Sequence, residues 1–179
     1  MKIRILIADN HTLFREGLRT LASKEPDLEV VGEAQDGREA VALARKLHPD
    51  VVVMDVVMPE LNGLEATRQI RGEDTRVRVI GLSMHTDKRY VLGMLEAGAS
   101  GYLAKDSPFE EVARALRAVA GGHVYLAPNV AGLVVEDFAR RAAPPSGGPA
   151  RELSPREREV LQLLAEGKSA RAIAHGLHV

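Results

Sequence analysis

Five polar residues stand directly after short apolar runs. Asp9 and Asn10 follow residues 3–8, Asp55 follows 51–54, Ser83 follows 77–82, and Lys105 follows 102–104. Carboxylate and amide oxygens are hard ligands suited to Mg²⁺. A lysine ammonium and a serine hydroxyl facing them can hold the oxygens of a phosphoryl group, with a carboxylate as nucleophile. Singly, most of these residues have plainer readings: Asn10 caps a helix, Ser83 forms a turn, and Lys105 lies on the surface. Asp55 is harder to dismiss, because a carboxylate directly after Val51-Val52-Val53-Met54 is costly to bury unless it is paired or metal-bound.

Such residues can act together only if the runs are neighbouring strands. Residues 3–8, 28–31, 51–54, 77–82 and, more weakly, 102–104 are short and rich in β-branched residues, as buried strands are. Between them, apolar residues fall at helical spacing, as in Leu13, Phe14, Gly17, Leu18 and Leu21, or Val112, Leu116 and Val119. Strand and helix alternate in a (βα)5 pattern, which predicts an α/β fold with a parallel sheet and helices on both faces. In the flavodoxin-like strand order 2-1-3-4-5, the first, third, fourth and fifth strands are contiguous. Their carboxyl ends then bring Asp9, Asn10, Asp55, Ser83 and Lys105 to one crevice.

The chain divides into residues 1–122, a linker over 123–150, and a segment over 151–179. The linker begins with a predicted helix over 128–141, with Pro128 in its first turn and Val130, Leu133, Val134 and Phe138 on one side. Pro144, Pro145, Gly147, Gly148 and Pro149 then exclude regular structure. Ser154-Pro155-Arg156-Glu157 has the form of a capping box, followed by Val160, Leu161, Leu163 and Leu164. Ser169 opens a second short helix through Ile173, Ala174 and Leu177.

Composition narrows the chemistry further. The absence of cysteine excludes thiolate catalysis and Cys-based metal centres and agrees with a reducing cytoplasm. With 24 Lys and Arg against 25 Asp and Glu, evenly spread, no segment has the footprint of a strong nucleic-acid binder. Residues 5–8 are too short a core for a signal peptide, and Gly121, Gly122 and Pro128 interrupt the uncharged run 118–135, so neither export nor a membrane span is expected. Neither G-x-x-x-x-G-K-[ST] nor G-x-G-x-x-G occurs, leaving nucleotide binding without support. The six histidines, His11 and His85 among them, show no metal-ligand spacing and read as surface or turn residues.

Taken together, Leu6-Ile7-Ala8-Asp9-Asn10-His11, Met54-Asp55-Val56-Val57-Met58-Pro59 with Asn62-Gly63, Gly81-Leu82-Ser83, and Gly98-Ala99-Ser100-Gly101-Tyr102-Leu103-Ala104-Lys105-Asp106 resemble the receiver domain of two-component response regulators. Leu153-Ser154-Pro155-Arg156-Glu157-Arg158-Glu159-Val160-Leu161 is similar to the start of a LuxR-type helix-turn-helix, as in the NarL/FixJ group. The resemblance implies that Asp55 is the phosphoacceptor for a sensor histidine kinase. It also implies that Asp9, Asn10, Asp55 and the Val57 carbonyl hold Mg²⁺, that Ser83 and Tyr102 form the switch pair, that Lys105 contacts the phosphate, and that His85 and Val57 flank it. The residue left as Tyr102 reads equally as a half-buried strand aromatic. Activation is expected to bring two copies together.

Two departures from the family pattern shape the expectations. The second of two adjacent acids after the first strand is Asn10 here, so Mg²⁺ should bind more weakly. The four-helix effector domain needs roughly 30 further residues, including its recognition helix, so residues 151–179 are expected to be the N-terminal half of an all-α domain, with no DNA-binding residue in this chain. DNA then becomes a partner only in a C-terminally complete form. Two rival readings remain: an atypical receiver that signals by dimerisation or ligand binding, and a Mg²⁺-dependent phosphohydrolase with an Asp nucleophile. Such hydrolases commonly carry a general acid two residues after the nucleophile, where this chain has Val57, which argues that it is not an enzyme.

Overall fold

Each of the five apolar runs is a strand in the computed structural model, which describes residues 2–84 and 87–142. The expectations for His85 and for residues 143–179 lie outside the described residues. The elements alternate as β1 (Ile3–Ala8), α1 (Thr12–Ala22), β2 (Leu28–Ala34), α2 (Gly37–Leu47), β3 (Val51–Asp55), α3 (Gly63–Glu73), β4 (Arg78–Ser83), α4 (Lys88–Glu96), β5 (Gly101–Ala104), α5 (Phe109–Ala120), β6 (Tyr125–Leu126) and α6 (Pro128–Ala142). All strand pairs are parallel, in the order β2-β1-β3-β4-β5-β6.

Burial follows from that layout. Every residue of β3 is buried, as is β1 from Ile5 onward, because helices cover both faces of the sheet. Helix α1 packs beside α5, while α3 packs against α2 and α4. Local chemistry sets the helix starts: Asp36 accepts from the Glu39 amide at the head of α2, and Asn62 accepts from the Glu65 amide at the head of α3.

The sequence-based order of five strands holds, and β6 extends it. Tyr125–Leu126 pairs with Gly101 and Tyr102, covering what would otherwise be the β5 edge. Two residues carry no periodicity, so this strand has no sequence signal of its own. Helix α6 starts at Pro128 as its spacing predicts. Val130 is fully buried and Leu133 and Val134 pack against the core, whereas Phe138 is exposed. Met1–Ala139 forms one compact unit.

Register brings the polar residues level. Ala8 lies beside Met54, Asp55 beside Leu82, and Ser83 beside Ala104. The residues that end or follow β1, β3, β4 and β5 therefore share one rim of the sheet. Gly63 fixes the loop after β3: a Cβ there would sit 2.0 Å from the Asp55 carbonyl oxygen, so only glycine lets α3 start so close to the strand end.

Candidate functional site

Three of the five residues meet directly. The Lys105 ammonium lies 2.6 Å from Asp9 Oδ2 and 2.8 Å from Asp55 Oδ2, and all three side chains are almost wholly buried. The Val57 amide donates to Asp55 Oδ1 at 3.3 Å, while the Val57 side chain is half exposed. Ser83 ends β4 fully buried, and Asn10 is exposed at the end of β1. The Lys105 ammonium also rests over the Phe14 ring, 5.0 Å from its centroid, which favours the cation further.

Two carboxylates and one ammonium leave this buried cluster one negative charge in excess. Burial pushes the Asp55 carboxyl above its ordinary value; the hydrogen bond from Lys105 opposes this, and the Asp9 charge adds to it. A carboxylate in that position gains from a second cation or from an electrophile that removes its charge.

Tyr102 is fully buried, not half-buried, with its ring edge against Gly81. Burial pushes its phenol up to about 12, opposed by a hydrogen bond with Ser83 and aided by the Asp55 charge. The two residues that the sequence pairs by resemblance are therefore in contact, and Asp55 is close enough for its charge to be felt at the ring hydroxyl.

Two family models match the chain. One described as "Response regulator receiver domain" matches residues 5–117, and one described as "Bacterial regulatory proteins, luxR family" matches residues 151–179. The transcriptional regulatory protein DegU of Brevibacillus brevis is 38% identical over 191 residues, covering 99% of this chain and 81% of that protein. The chain belongs to the two-component response regulators. Among solved structures, a LuxR-family response regulator from Aurantimonas sp. SI85-9A1 matches with a TM-score of 0.73 and 39% identity, over 78% of this chain and 99% of that one. A structure of two RcsB dimers bound to two parallel DNAs matches with a TM-score of 0.70 and 25% identity, over 99% of this chain and 84% of that one. The regulator thus joins a receiver domain to a LuxR-type DNA-binding region, and is homologous to transcriptional regulatory proteins of two-component systems.

Two residues of the regulator's site escaped the sequence reading. His11, read there as a surface or turn residue, places Nδ1 2.9 Å from Asp9 Oδ1 and 3.8 Å from Asp55 Oδ2. Arg15 is buried and donates through Nη1 to the Asp9 carbonyl at 2.6 Å, while its Nε faces Glu33 at 3.5 Å; it pins the end of β1. The signal available for His11 was its place two residues after Asp9, at the N-cap of α1, where a side chain can turn back onto the strand end. Beside the site, His11 and Lys105 share a cavity of about 570 Å³ with Leu13, Phe14, Leu18, Leu21, Phe109 and Val112 of α1 and α5.

Proposed function

We propose that Asp55 accepts a phosphoryl group from the phosphohistidine of a sensor kinase, and that the modified receiver controls transcription through the LuxR-type region. The observation that carries this reading is the Lys105 ammonium held between the buried carboxylates of Asp9 and Asp55. In the transfer an Asp55 carboxylate oxygen attacks phosphorus, the bond from phosphorus to the donor imidazole nitrogen breaks with its electron pair going to that nitrogen, and an acyl phosphate forms. Lys105 meets the phosphoryl oxygens as their charge is redistributed.

The donor set fits a hard divalent ion. Asp9 and Asp55 offer carboxylate oxygens in a cluster with one surplus negative charge, the chemistry Mg²⁺ selects, and the Asn10 amide and the Val57 carbonyl would complete the oxygen set. Bound there, Mg²⁺ supplies further neutralisation of the phosphoryl oxygens. Asn10 contributes a neutral oxygen, so affinity is reduced relative to a site with an acid at that position.

Phosphorylation adds charge and acceptor oxygens at Asp55. Ser83 answers that change at the end of β4, and its bond to Tyr102 carries it to the ring beside Gly81. Val57, and His85 by sequence position alone, flank the phosphoryl group; the apolar Val57 side chain offers no group to orient water, which makes the site a signal store and not a catalyst of turnover. The partners are a sensor histidine kinase, a second copy of the chain on activation, and DNA in a C-terminally complete form, and the setting is the cytoplasm. No helix among the described residues is long and apolar enough to cross a membrane.

A second reading, a receiver that signals by dimerisation or ligand binding with weak phosphorylation, rests on Asn10. Incubation with acetyl phosphate and Mg²⁺, read by intact mass with Asp55→Asn as control, separates the two.

A further inference from the structure

His11 is a polar side chain of the site to which the receiver reading assigns no task. Its Nδ1, Asp9 Oδ1 and Asp55 Oδ2 form the three-residue group whose ligand atoms all lie within 4.8 Å of one another. That spread is close to what one ion needs when its bonds are each about 2.0–2.2 Å long. We infer that His11 is a nitrogen ligand of the cation centre, and that it biases this centre toward a divalent transition ion such as Mn²⁺, which accepts a nitrogen donor more readily than Mg²⁺ does.

Three observations support the assignment. The His11 backbone amide donates to Asp9 Oδ1 at 2.8 Å, so main chain and ring grip the same carboxylate and the ring is held over the site. The same Nδ1 lies 3.4 Å from the Lys105 ammonium. It therefore faces an anion on one side and a cation on the other: it donates to Asp9 when it carries the proton, and accepts from a cation when the proton is on Nε2. Finally, Asn10 is exposed and uncharged, so the position that usually supplies a second acid gives at most a neutral oxygen, and the imidazole nitrogen offers a further donor.

Imidazole suits transition ions, whereas Mg²⁺ favours an all-oxygen shell. Replacing one donor by nitrogen changes the ratio of affinities more than either affinity alone. The His11 ring makes no capping bond to α1, so its loss leaves the helix start intact.

This inference rests on the reading of Asp9 and Asp55 as a cation-binding phosphoacceptor site, and its test is direct binding. Mn²⁺ and Mg²⁺ affinities are measured by titration calorimetry on the full chain and on His11→Gln, and Mn²⁺-loaded samples are examined by pulsed electron paramagnetic resonance. The expected result is ¹⁴N modulation in the wild type that His11→Gln loses, with the Mn²⁺-over-Mg²⁺ preference falling by about tenfold. Absence of nitrogen modulation from the Mn²⁺-loaded wild type, or an unchanged preference in the variant, overturns it. If that occurs while acetyl phosphate still modifies Asp55, the phosphoacceptor reading survives. If neither ion binds the wild type and Asp55 stays unmodified, that reading falls as well.

Discussion

Lys105 reaches Asp55 across an intervening strand: β4 lies between β3 and β5, yet the Lys105 ammonium is 2.8 Å from Asp55 Oδ2. The span is possible because Ser83 ends β4 level with Ala104, so the lysine follows the rim of the sheet and need not cross its face. The contact is buried and shared with Asp9. Its energetic role and its chemical role are therefore linked.

Lys105→Met leaves two buried carboxylates facing one another and lowers stability by about 3 kcal/mol near neutral pH. The pH dependence has a definite sign. Burial already holds the Asp55 carboxyl above 3.8, its ordinary value, and loss of Lys105 removes the opposing hydrogen bond. The folded variant then holds its proton more tightly than the unfolded chain does. The penalty is full above the raised folded value and disappears as pH falls below 3.8. Urea denaturation of wild type and variant at about pH 7 and about pH 4 should show the stability gap shrinking at the lower pH. A gap independent of pH means that lost packing, not charge, is the cause.

Asn10→Asp adds an anionic oxygen at the end of β1 and should tighten Mg²⁺ binding by about tenfold, the equivalent of ~1.4 kcal/mol. Calorimetric titration of the two proteins checks this. Superimposable curves would show that the amide serves as well as the acid.

The fold was legible in the sequence because a buried parallel strand has to be a short β-branched run, and five such runs alternate with helical spacing. Asp55 was legible for a related reason, as a carboxylate that closes a fully buried strand. His11 was not, since its role depends on a ring turning back from a helix N-cap, which spacing does not encode. Nor was the depth of Tyr102: its burial depends on the missing Cβ of Gly81, on the neighbouring strand, and on β6 closing the β5 edge from far along the chain.

Gly81→Ala should displace the Tyr102 ring. The added Cβ would lie 2.9 Å from Tyr102 Cδ2 and 3.1 Å from Met94 Cε, and both contacts are side-chain atoms that can yield. The overpacking costs about 1–3 kcal/mol. Once moved toward solvent, the phenol should titrate below its present value of about 12, nearer 10.0. Absorbance titration in a Tyr90→Phe, Tyr125→Phe background isolates the signal. An unchanged titration means that the core accommodates the methyl elsewhere.

Val57→Asn should shorten the lifetime of the phosphorylated protein by about tenfold, because the amide can orient a water that valine cannot. Loss of radiolabel with time is the measurement. A longer lifetime in the variant would remove Val57 from the flank of the phosphoryl group.

The claim on which the account depends is that Asp55 is the phosphoacceptor, and intact mass spectrometry after incubation with acetyl phosphate at saturating Mg²⁺ tests it most directly. The wild type should gain the mass of one phosphoryl group and Asp55→Asn none, with peptide mapping placing the group on Asp55. A wild type that gains nothing, or an Asp55→Asn variant that gains as much, would contradict it.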